Sequence, residues 1–185
     1  MMNIGFYEEF PTKKNLKKLK LITFNSRVFI ASKSLKEFQK LKNQIKKINK
    51  KIKIGWWPII ENSYYISPFS NFSDLIKIFN ELNKLDNEIL IDLELPLKNK
   101  KIIIKNLFNF FKNKRLIKNF LEENKKRITT AQYSLSSTEI LLKIIGLDYK
   151  VICEKSLMYY SSTFSKRKNE EIKKSISKIK NKKNY

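Results

Sequence analysis

The sequence predicts an α/β fold in which about six parallel β/α units form a shortened or incomplete TIM-like barrel. Short apolar runs with strand-forming residues alternate with longer, lysine-rich helical patterns along most of the chain. Such alternation is typical of parallel sheets with right-handed crossovers. The chain has 185 residues, whereas a complete eight-unit barrel takes about 250. An open doubly wound sheet is the alternative architecture.

The first three β/α units occupy the first half of the chain. Strands are predicted over residues 3–10, 26–34 and 52–60. Each is followed by apolar residues at helical spacing, beginning after Pro11 and Thr12, after Ser34, and at Ser73. Ser34 is the predicted N-cap of the second helix because a serine hydroxyl accepts a hydrogen bond from the free amides of a first turn.

The second half continues the alternation. The fourth strand is predicted within "EILIDLELPL", residues 88–97, and a basic helix follows over roughly 99–126, either continuous or broken in the middle. A fifth strand is predicted over 127–134, then a helix that ends at Gly146, then a sixth strand within 149–160. Residues 1–164 therefore form one β/α domain, and residues 165–185 form a basic helix or a frayed tail.

The faces of the later strands favour the barrel over the open sheet. In strand four, Ile89, Ile91, Leu93 and Leu95 share one side, whereas Leu90, Asp92 and Glu94 share the other. Strand five has Thr130, Gln132 and Ser134 on one face. An open parallel sheet covered by helices on both faces has nearly continuous apolar strands, but a barrel interior accommodates polar residues that line a site.

Composition excludes several classes of chemistry. The chain has no histidine and one cysteine, Cys153, so Ser/His/Asp and Cys/His nucleophiles, His-ligated zinc and intrachain disulfides are excluded. We expect no metal, because no cluster of ligand residues has metal-binding spacing. We expect no cofactor, because three glycines leave little room for a phosphate-binding loop. The start of the chain lacks a charged leader, and no apolar run reaches about 18 residues. These features predict a cytoplasmic protein.

The formal charge of +23 suggests an anionic partner, but only four of the 40 basic residues are arginines. This lysine bias, together with abundant Asn and Ile, is typical of AT-rich codons, so nucleic acid is not the favoured partner. The basic segment 98–120 is consistent with an amphipathic helix. A non-enzymatic protein that binds RNA or an anionic surface is therefore kept as an alternative.

Acids and aromatic residues cluster where the predicted strands end, and ligands of parallel α/β folds bind at that end. Carboxylates beside flat aromatic faces suit sugar chemistry, since glycoside hydrolysis needs one acid and one nucleophile or base. We expect Glu94 to be the proton donor, as the deepest carboxyl, beside Asp92, with Glu9 or Glu61 as the second carboxylate. The predicted substrate-binding residues are Glu61, Trp56, Trp57, Tyr65, Gln132 and Tyr159.

The "IDLE" segment at the end of strand four resembles the D-x-E strand end of barrel glycoside hydrolases, including the chitinase-like and lysozyme-like families. The resemblance implies that Glu94 is the acid. The chain departs from the chitinase-like pattern at Leu90 and Asn87, and it has Glu8 and Glu9 where the lysozyme-like family carries Asp. A barrel that has lost activity and pairs with another chain, which completes the barrel, is a third hypothesis.

Overall fold

The computed structural model describes residues 5–96, 100–133, 149 and 151–158. The strands are β1 Gly5–Glu8, β2 Ser26–Ser32, β3 Ile52–Pro58, β4 Ile89–Asp92, β5 Ile128–Tyr133 and β6 Glu154–Met158. The helices are α1 Lys13–Lys18, α2 Leu35–Ile48, α3 Phe72–Leu82, α4 Lys100–Lys105 and α5 Phe110–Glu123, with 3-10 turns at Leu19–Leu21 and Leu107–Asn109. The predicted helix that ends at Gly146, the domain boundary at residue 164 and the tail 165–185 lie outside the described residues.

The six strands form one parallel sheet in the order β1-β2-β3-β4-β5-β6. The sheet is curled into a half-barrel, and side chains join its first strands to its last across the concave face. The Tyr7 hydroxyl of β1 donates to Ser156 Oγ of β6 over 2.8 Å. Arg27 of β2 donates two hydrogen bonds to the Glu154 carboxylate of β6, at 2.7 and 2.6 Å.

The helices pack on the convex face of the sheet. Residues of α1, α2, α3 and α5 share one hydrophobic core with the outward-facing side chains of the strands. Within this core the fully buried Trp56 stacks on Phe38 of α2, with ring centroids 5.4 Å apart. A doubly wound sheet reverses its strand order and carries helices on both faces. The consecutive order and the helices on one face favour the predicted incomplete barrel.

Most local signals agree with the structure. Ser34 is the N-cap of α2, and its side chain accepts a hydrogen bond from the Glu37 amide. The long basic helix is broken in the middle, between α4 and α5. One start differs from the prediction: α3 begins at Phe72, and its N-cap is Asn71, which accepts from the Ser73 amide. An asparagine amide oxygen competes as well as serine for this position.

Strand β4 is shorter than predicted. Ile89, Ile91 and Leu93 face the helices, as the alternation requires, and Leu90 belongs to a small core on the concave face. The strand ends at Asp92, although the Leu93 amide still donates to the Ala131 carbonyl over 3.0 Å. Glu94 therefore lies beyond the strand, and its position depends on the loop that follows.

The polar residues of β5 face the side of the sheet opposite to the predicted one. Ala131 lies in the concave-face core, so Thr130 and Gln132 point toward the convex side. Gln132 is buried there, where Nε2 donates to Thr130 Oγ1 over 2.6 Å and Oε1 accepts from the Tyr149 amide over 3.3 Å. These bonds satisfy buried polar groups, and they are a structural use of the residues that the sequence placed inside the barrel.

Candidate functional site

Asp92 lies at the carboxyl end of β4, on the concave face of the sheet. It pairs in register with Ala131 of β5, and its main-chain oxygen accepts a hydrogen bond from the Ile66 amide over 3.1 Å. The residue is only 6% exposed, and its Oδ1 has no hydrogen-bond partner. A buried carboxyl oxygen without a partner is costly, so this position needs an explanation other than stability.

Two further acids face the same end of the sheet. Glu9 follows β1, and Glu94 follows β4 by two residues. Burial raises the pKa of Asp92 well above its ordinary value, and the nearby charges of Glu94 and then Glu9 raise it further. Both causes act in the same direction because each disfavours a negative charge on Asp92. The arrangement therefore favours a protonated Asp92.

Two tyrosines connect these acids to the loop that follows β3. The Tyr64 hydroxyl donates to Glu9 Oε1 over 2.5 Å, and a side-chain hydrogen bond links Tyr65 to Glu94. The two rings meet edge to face, with centroids 4.9 Å apart. The pKa of each tyrosine is raised, first by burial and then by the carboxylates around it. Both phenols therefore remain hydrogen-bond donors at neutral pH.

The backbone of this loop is held in an unusual conformation. Tyr64 has a φ of 65°, in the left-handed region that bulky residues rarely adopt. Main-chain hydrogen bonds in both directions between Ile60 and Tyr64, of 3.1 and 2.7 Å, close the turn. Such strain costs about 1 to 3 kcal/mol and persists only where the surroundings fix it. Here it directs the Tyr64 hydroxyl toward Glu9.

A network of small polar residues fixes the rest of the loop. The Ser63 hydroxyl donates to Ser70 Oγ over 2.9 Å, and the Ser70 hydroxyl donates to the Tyr65 carbonyl over 3.1 Å. From α5, the buried Asn113 amide donates to the carbonyls of Pro68 and Ser70 at 2.8 and 2.7 Å. The tyrosines are thus presented by a loop that is tied to a helix, which suits a preorganised site.

An aromatic wall lies beside the acids on the concave face. Trp57 of β3 meets Tyr7 of β1 edge to face, with centroids 6.4 Å apart, and Tyr7 stacks on Phe29 at 5.8 Å. Trp57 shares its small core with Leu90 and Ala131, and Tyr64 packs against that core. The site therefore has an acidic side and an aromatic side.

The structure separates the predicted site residues into two groups. Glu9, Asp92, Glu94 and Tyr65 interact with one another, and Trp57 lies on the same face of the sheet. Trp56 lies in the helix-facing core, and Gln132 serves the packing described above. Glu61 is exposed and lies 3.8 Å from Lys33 in a surface ion pair. Tyr159 is outside the described residues.

The order of burial differs from the sequence prediction. Glu94 was expected to be the deepest carboxyl, but Asp92 is buried and Glu94 is only half-buried. The reason is that Asp92 pairs with β5 on one side and accepts a main-chain hydrogen bond from Ile66 on the other, whereas Glu94 lies in the loop that follows β4. Tyr64, whose positive φ cannot be read from sequence, is the partner of Glu9 that the list of predicted site residues lacked.

A second charged cluster occupies the opposite end of the concave face. Besides its bonds to Glu154, Arg27 lies 3.8 Å from Glu88, and Lys53 Nζ lies 2.6 Å from the other Glu88 oxygen. The Thr129 hydroxyl donates to Glu154 over 3.0 Å. Opposite charges are matched here. Matched charges at the amino ends of barrel strands contribute to stability rather than to a functional site.

No metal site is found among the described residues: no group of three or more Asp, Glu or Cys side chains is placed to hold an ion. In the same part of the chain, no helix is long and apolar enough to cross a membrane.

Comparisons with models of protein families, with curated proteins and with solved structures found no match for this chain.

Proposed function

We propose that the carboxyl end of this sheet is a glycoside hydrolase-like site, which binds a saccharide-like ligand and cleaves a glycosidic bond by acid–base catalysis. The observation that carries the proposal is the Asp92 carboxyl, which is buried, lacks a partner for Oδ1 and lies beside two further acids. A buried carboxyl group with a raised pKa is what a general acid of this reaction requires.

Asp92 takes the role of proton donor in this proposal, in place of Glu94. Donation to the leaving oxygen of a sugar needs a neutral carboxylic acid, and desolvation together with like charge raises the pKa of Asp92 and so favours its neutral form. Once it has transferred its proton, the Asp92 anion is disfavoured by the same surroundings. It therefore recovers a proton readily from water or from an incoming nucleophile.

The second carboxylate is supplied by Glu9 or Glu94. The hydroxyls of Tyr64 and Tyr65 hold these two side chains by hydrogen bonds. A carboxylate fixed in this way acts as a nucleophile when it lies about 5 Å from the acid, or as a base on water at a larger separation. The edge of Trp57 and the two tyrosine rings provide apolar contact for a sugar ring.

The test of this proposal uses the dependence on the leaving group. Hydrolysis is measured for 4-nitrophenyl glycosides, whose leaving group needs no proton, and for unactivated oligosaccharides, whose leaving group does. Asp92→Asn is expected to lower kcat by about 100-fold or more on the unactivated substrate and by much less on the 4-nitrophenyl substrate. Asp86→Asn, at an exposed acid outside the site, is the matched control.

Three outcomes separate the hypotheses. Equal losses on both substrates would remove Asp92 from the role of proton donor. Saccharide binding without hydrolysis, measured by calorimetry and lost in Tyr65→Ala, would reduce the proposal to a binding site. No hydrolysis and no binding across a panel of glycosides would contradict the saccharide proposal and favour the inactive barrel that serves as a subunit of a larger assembly.

A further inference from the structure

The segment that connects the sheet to α5 has two apolar faces, and only one of them is covered. Four large apolar side chains are exposed around the junction of α4, the 3-10 turn and α5: Ile104, Leu107, Phe108 and Phe111. Phe108 is 96% exposed and Phe111 is 81% exposed. We refer to these four residues as the outer stripe. Scattered exposed apolar residues are ordinary, but four large ones within eight positions of the chain indicate an interaction surface.

The outer stripe has no part in holding the segment to the rest of the chain. The opposite side of α5 makes the packing contacts. Phe110 lies against Phe69 with centroids 5.1 Å apart, and Phe120 stacks on Phe79 at 4.1 Å. Asn113 adds its two hydrogen bonds to the β3–α3 loop. These contacts hold α5, which carries Phe111, against the β3–α3 loop and α3.

The charge around the outer stripe is mostly basic, and near the end of α5 Lys118 pairs with Glu122 at 3.6 Å. Residues 95–121 contain no Asp or Glu. They contain eight basic residues, namely Lys98, Lys100, Lys101, Lys105, Lys112, Lys114, Arg115 and Lys118. Among them Lys101, Lys105, Lys112 and Arg115 are exposed. Elsewhere on the described surface, lysines are interspersed with acids, as in the Lys33–Glu61 and Lys53–Glu88 pairs.

We propose that the outer stripe and its basic border dock on an anionic lipid bilayer, with the four apolar side chains inserted at the headgroup boundary. An apolar stripe bordered by lysines is the arrangement by which amphipathic segments lie on such membranes. Each lysine near an anionic leaflet adds to the attraction. The absence of acids over residues 95–121 removes the repulsion that an anionic surface would otherwise meet.

Other occupants fit the charge less well. A second copy of the chain would place the same basic border against itself. The segment 165–185 of this chain carries nine basic residues and two acidic ones, so it too is repelled. RNA matches the charge, but its binding sites use aromatic platforms and arginine forks, whereas half of the outer stripe is aliphatic and one arginine lies in its border.

The proposed surface lies close to the candidate site without sharing residues with it. Asn113, two positions after Phe111, binds the loop that presents Tyr64 and Tyr65. Membrane docking is therefore testable whether or not the acids are catalytic, because none of Glu9, Asp92 and Glu94 belongs to the outer stripe.

The experiment is flotation of the full chain with phosphatidylcholine vesicles, with and without phosphatidylserine. The chain is expected to bind only the vesicles that contain phosphatidylserine, and high salt is expected to weaken this binding. The double variant Phe108→Ser and Phe111→Ser should bind at least about tenfold more weakly, because the inserted apolar area is lost. Both side chains are nearly fully exposed, so the fold is expected to remain intact.

The matched control is Leu21→Ser with Ile152→Ser, which removes two other exposed apolar side chains, 79% and 89% exposed, away from the outer stripe. This control should bind vesicles as the unchanged chain does. Equal weakening in both double variants would overturn the proposal, as would an absence of vesicle binding. Binding to single-stranded RNA but not to vesicles, or a loss of self-association in the Phe108/Phe111 variant without any vesicle binding, would also overturn it.

Discussion

The two ends of the concave face carry opposite electrostatic arrangements. At the amino ends of the strands, Arg27 and Lys53 are matched by Glu88 and Glu154 at distances as short as 2.6 Å. At the carboxyl ends, Tyr64 donates to Glu9 and Tyr65 is hydrogen-bonded to Glu94, and within the described residues no salt bridge to Glu9 or Asp92 is formed. One end neutralises its charge, and the other concentrates it.

This difference separates a structural use of charge from a functional one. A matched ion cluster offsets the cost of burying its members, so it requires no ligand. An acid cluster raises the pKa of its most buried member, and such shifts are concentrated at functional sites. We therefore assign stability to the amino end and the candidate chemistry to the carboxyl end.

The largest expected effect comes from adding a methyl group at Gly55, which lies between the two ends of the concave face. A Cβ at Gly55 would lie 2.5 Å from the buried Phe29 ring and 3.0 Å from the Glu88 carbonyl. Because Tyr7 stacks on Phe29, the ring has little freedom to move. Gly55→Ala should cost about 3 kcal/mol in the free energy of unfolding, measured by urea denaturation.

Gly5→Ala is the matched control for this prediction, because its nearest contact would be 3.7 Å away. We expect a change of less than about 0.5 kcal/mol at that position. If both variants were equally stable, the tight middle layer would have no energetic role in separating the two ends.

The matched end should be sensitive to loss of its cation. Arg27→Ala removes the paired hydrogen bonds to Glu154 and leaves Glu88 and Glu154 as acids without their shared arginine. Hydrogen bonds between charged groups contribute more than neutral ones, so we expect a loss of about 2 kcal/mol in the free energy of unfolding.

Lys33→Ala provides the comparison, since its pair with Glu61 is exposed and 3.8 Å long. A change below about 0.5 kcal/mol is expected there. If Arg27→Ala were as mild as Lys33→Ala, the claim that the amino end is stabilised by its charges would fail.

The acidic end should lose stability as the pH rises. The folded pKa of Asp92 is raised, so the folded state holds this proton more tightly than the unfolded state does. Stability from Asp92 is therefore complete below the unfolded pKa of about 4 and is lost as the pH rises through the folded pKa. Asp92→Asn should be more stable than the unchanged chain at neutral pH, by about 1 kcal/mol.

The measurement is the difference in unfolding free energy between the unchanged chain and Asp92→Asn along a pH series, with Asp86→Asn as the control. The difference should grow with pH only for Asp92→Asn. A constant difference across the series would mean that Asp92 titrates at its ordinary pKa, and the contrast between the two ends would lose its basis.

The smallest effect concerns the hydrogen bond that fixes Glu9. Tyr64→Phe keeps the ring and the backbone but removes the donor to Glu9 Oε1, at a cost of about 1 kcal/mol. Tyr7→Phe removes the donor to Ser156 Oγ, a bond between neutral groups, and should cost about half as much. Urea unfolding of both variants checks the order, and a reversed order would contradict the greater strength assigned to the bond between Tyr64 and Glu9.

Local signals in the sequence were sufficient for the element order and for part of the site. Alternation of short apolar runs with helical stripes predicted six parallel strands, and the position of Asp92, Glu9 and Tyr65 at strand ends predicted that they would meet. These features follow from side-chain period and chain direction alone. Sequence also indicated that Trp56 and Trp57 face opposite sides of the sheet, since neighbours in a strand do so, but not which of the two faces the helices.

Tertiary structure decided which acid is buried, which residues surround that acid and which charged side chains form ion pairs. Strand β4 ends at Asp92 because pairing with β5 stops there, and this reverses the burial of Asp92 and Glu94. The pairing of Arg27 with Glu154, 127 positions apart, exists only because the sheet curls. Sequence thus determined the strands and which side chains share a face, which are local properties, whereas the face that turns inward, burial, pKa and ion pairing depend on contacts between distant residues and were fixed only by the fold.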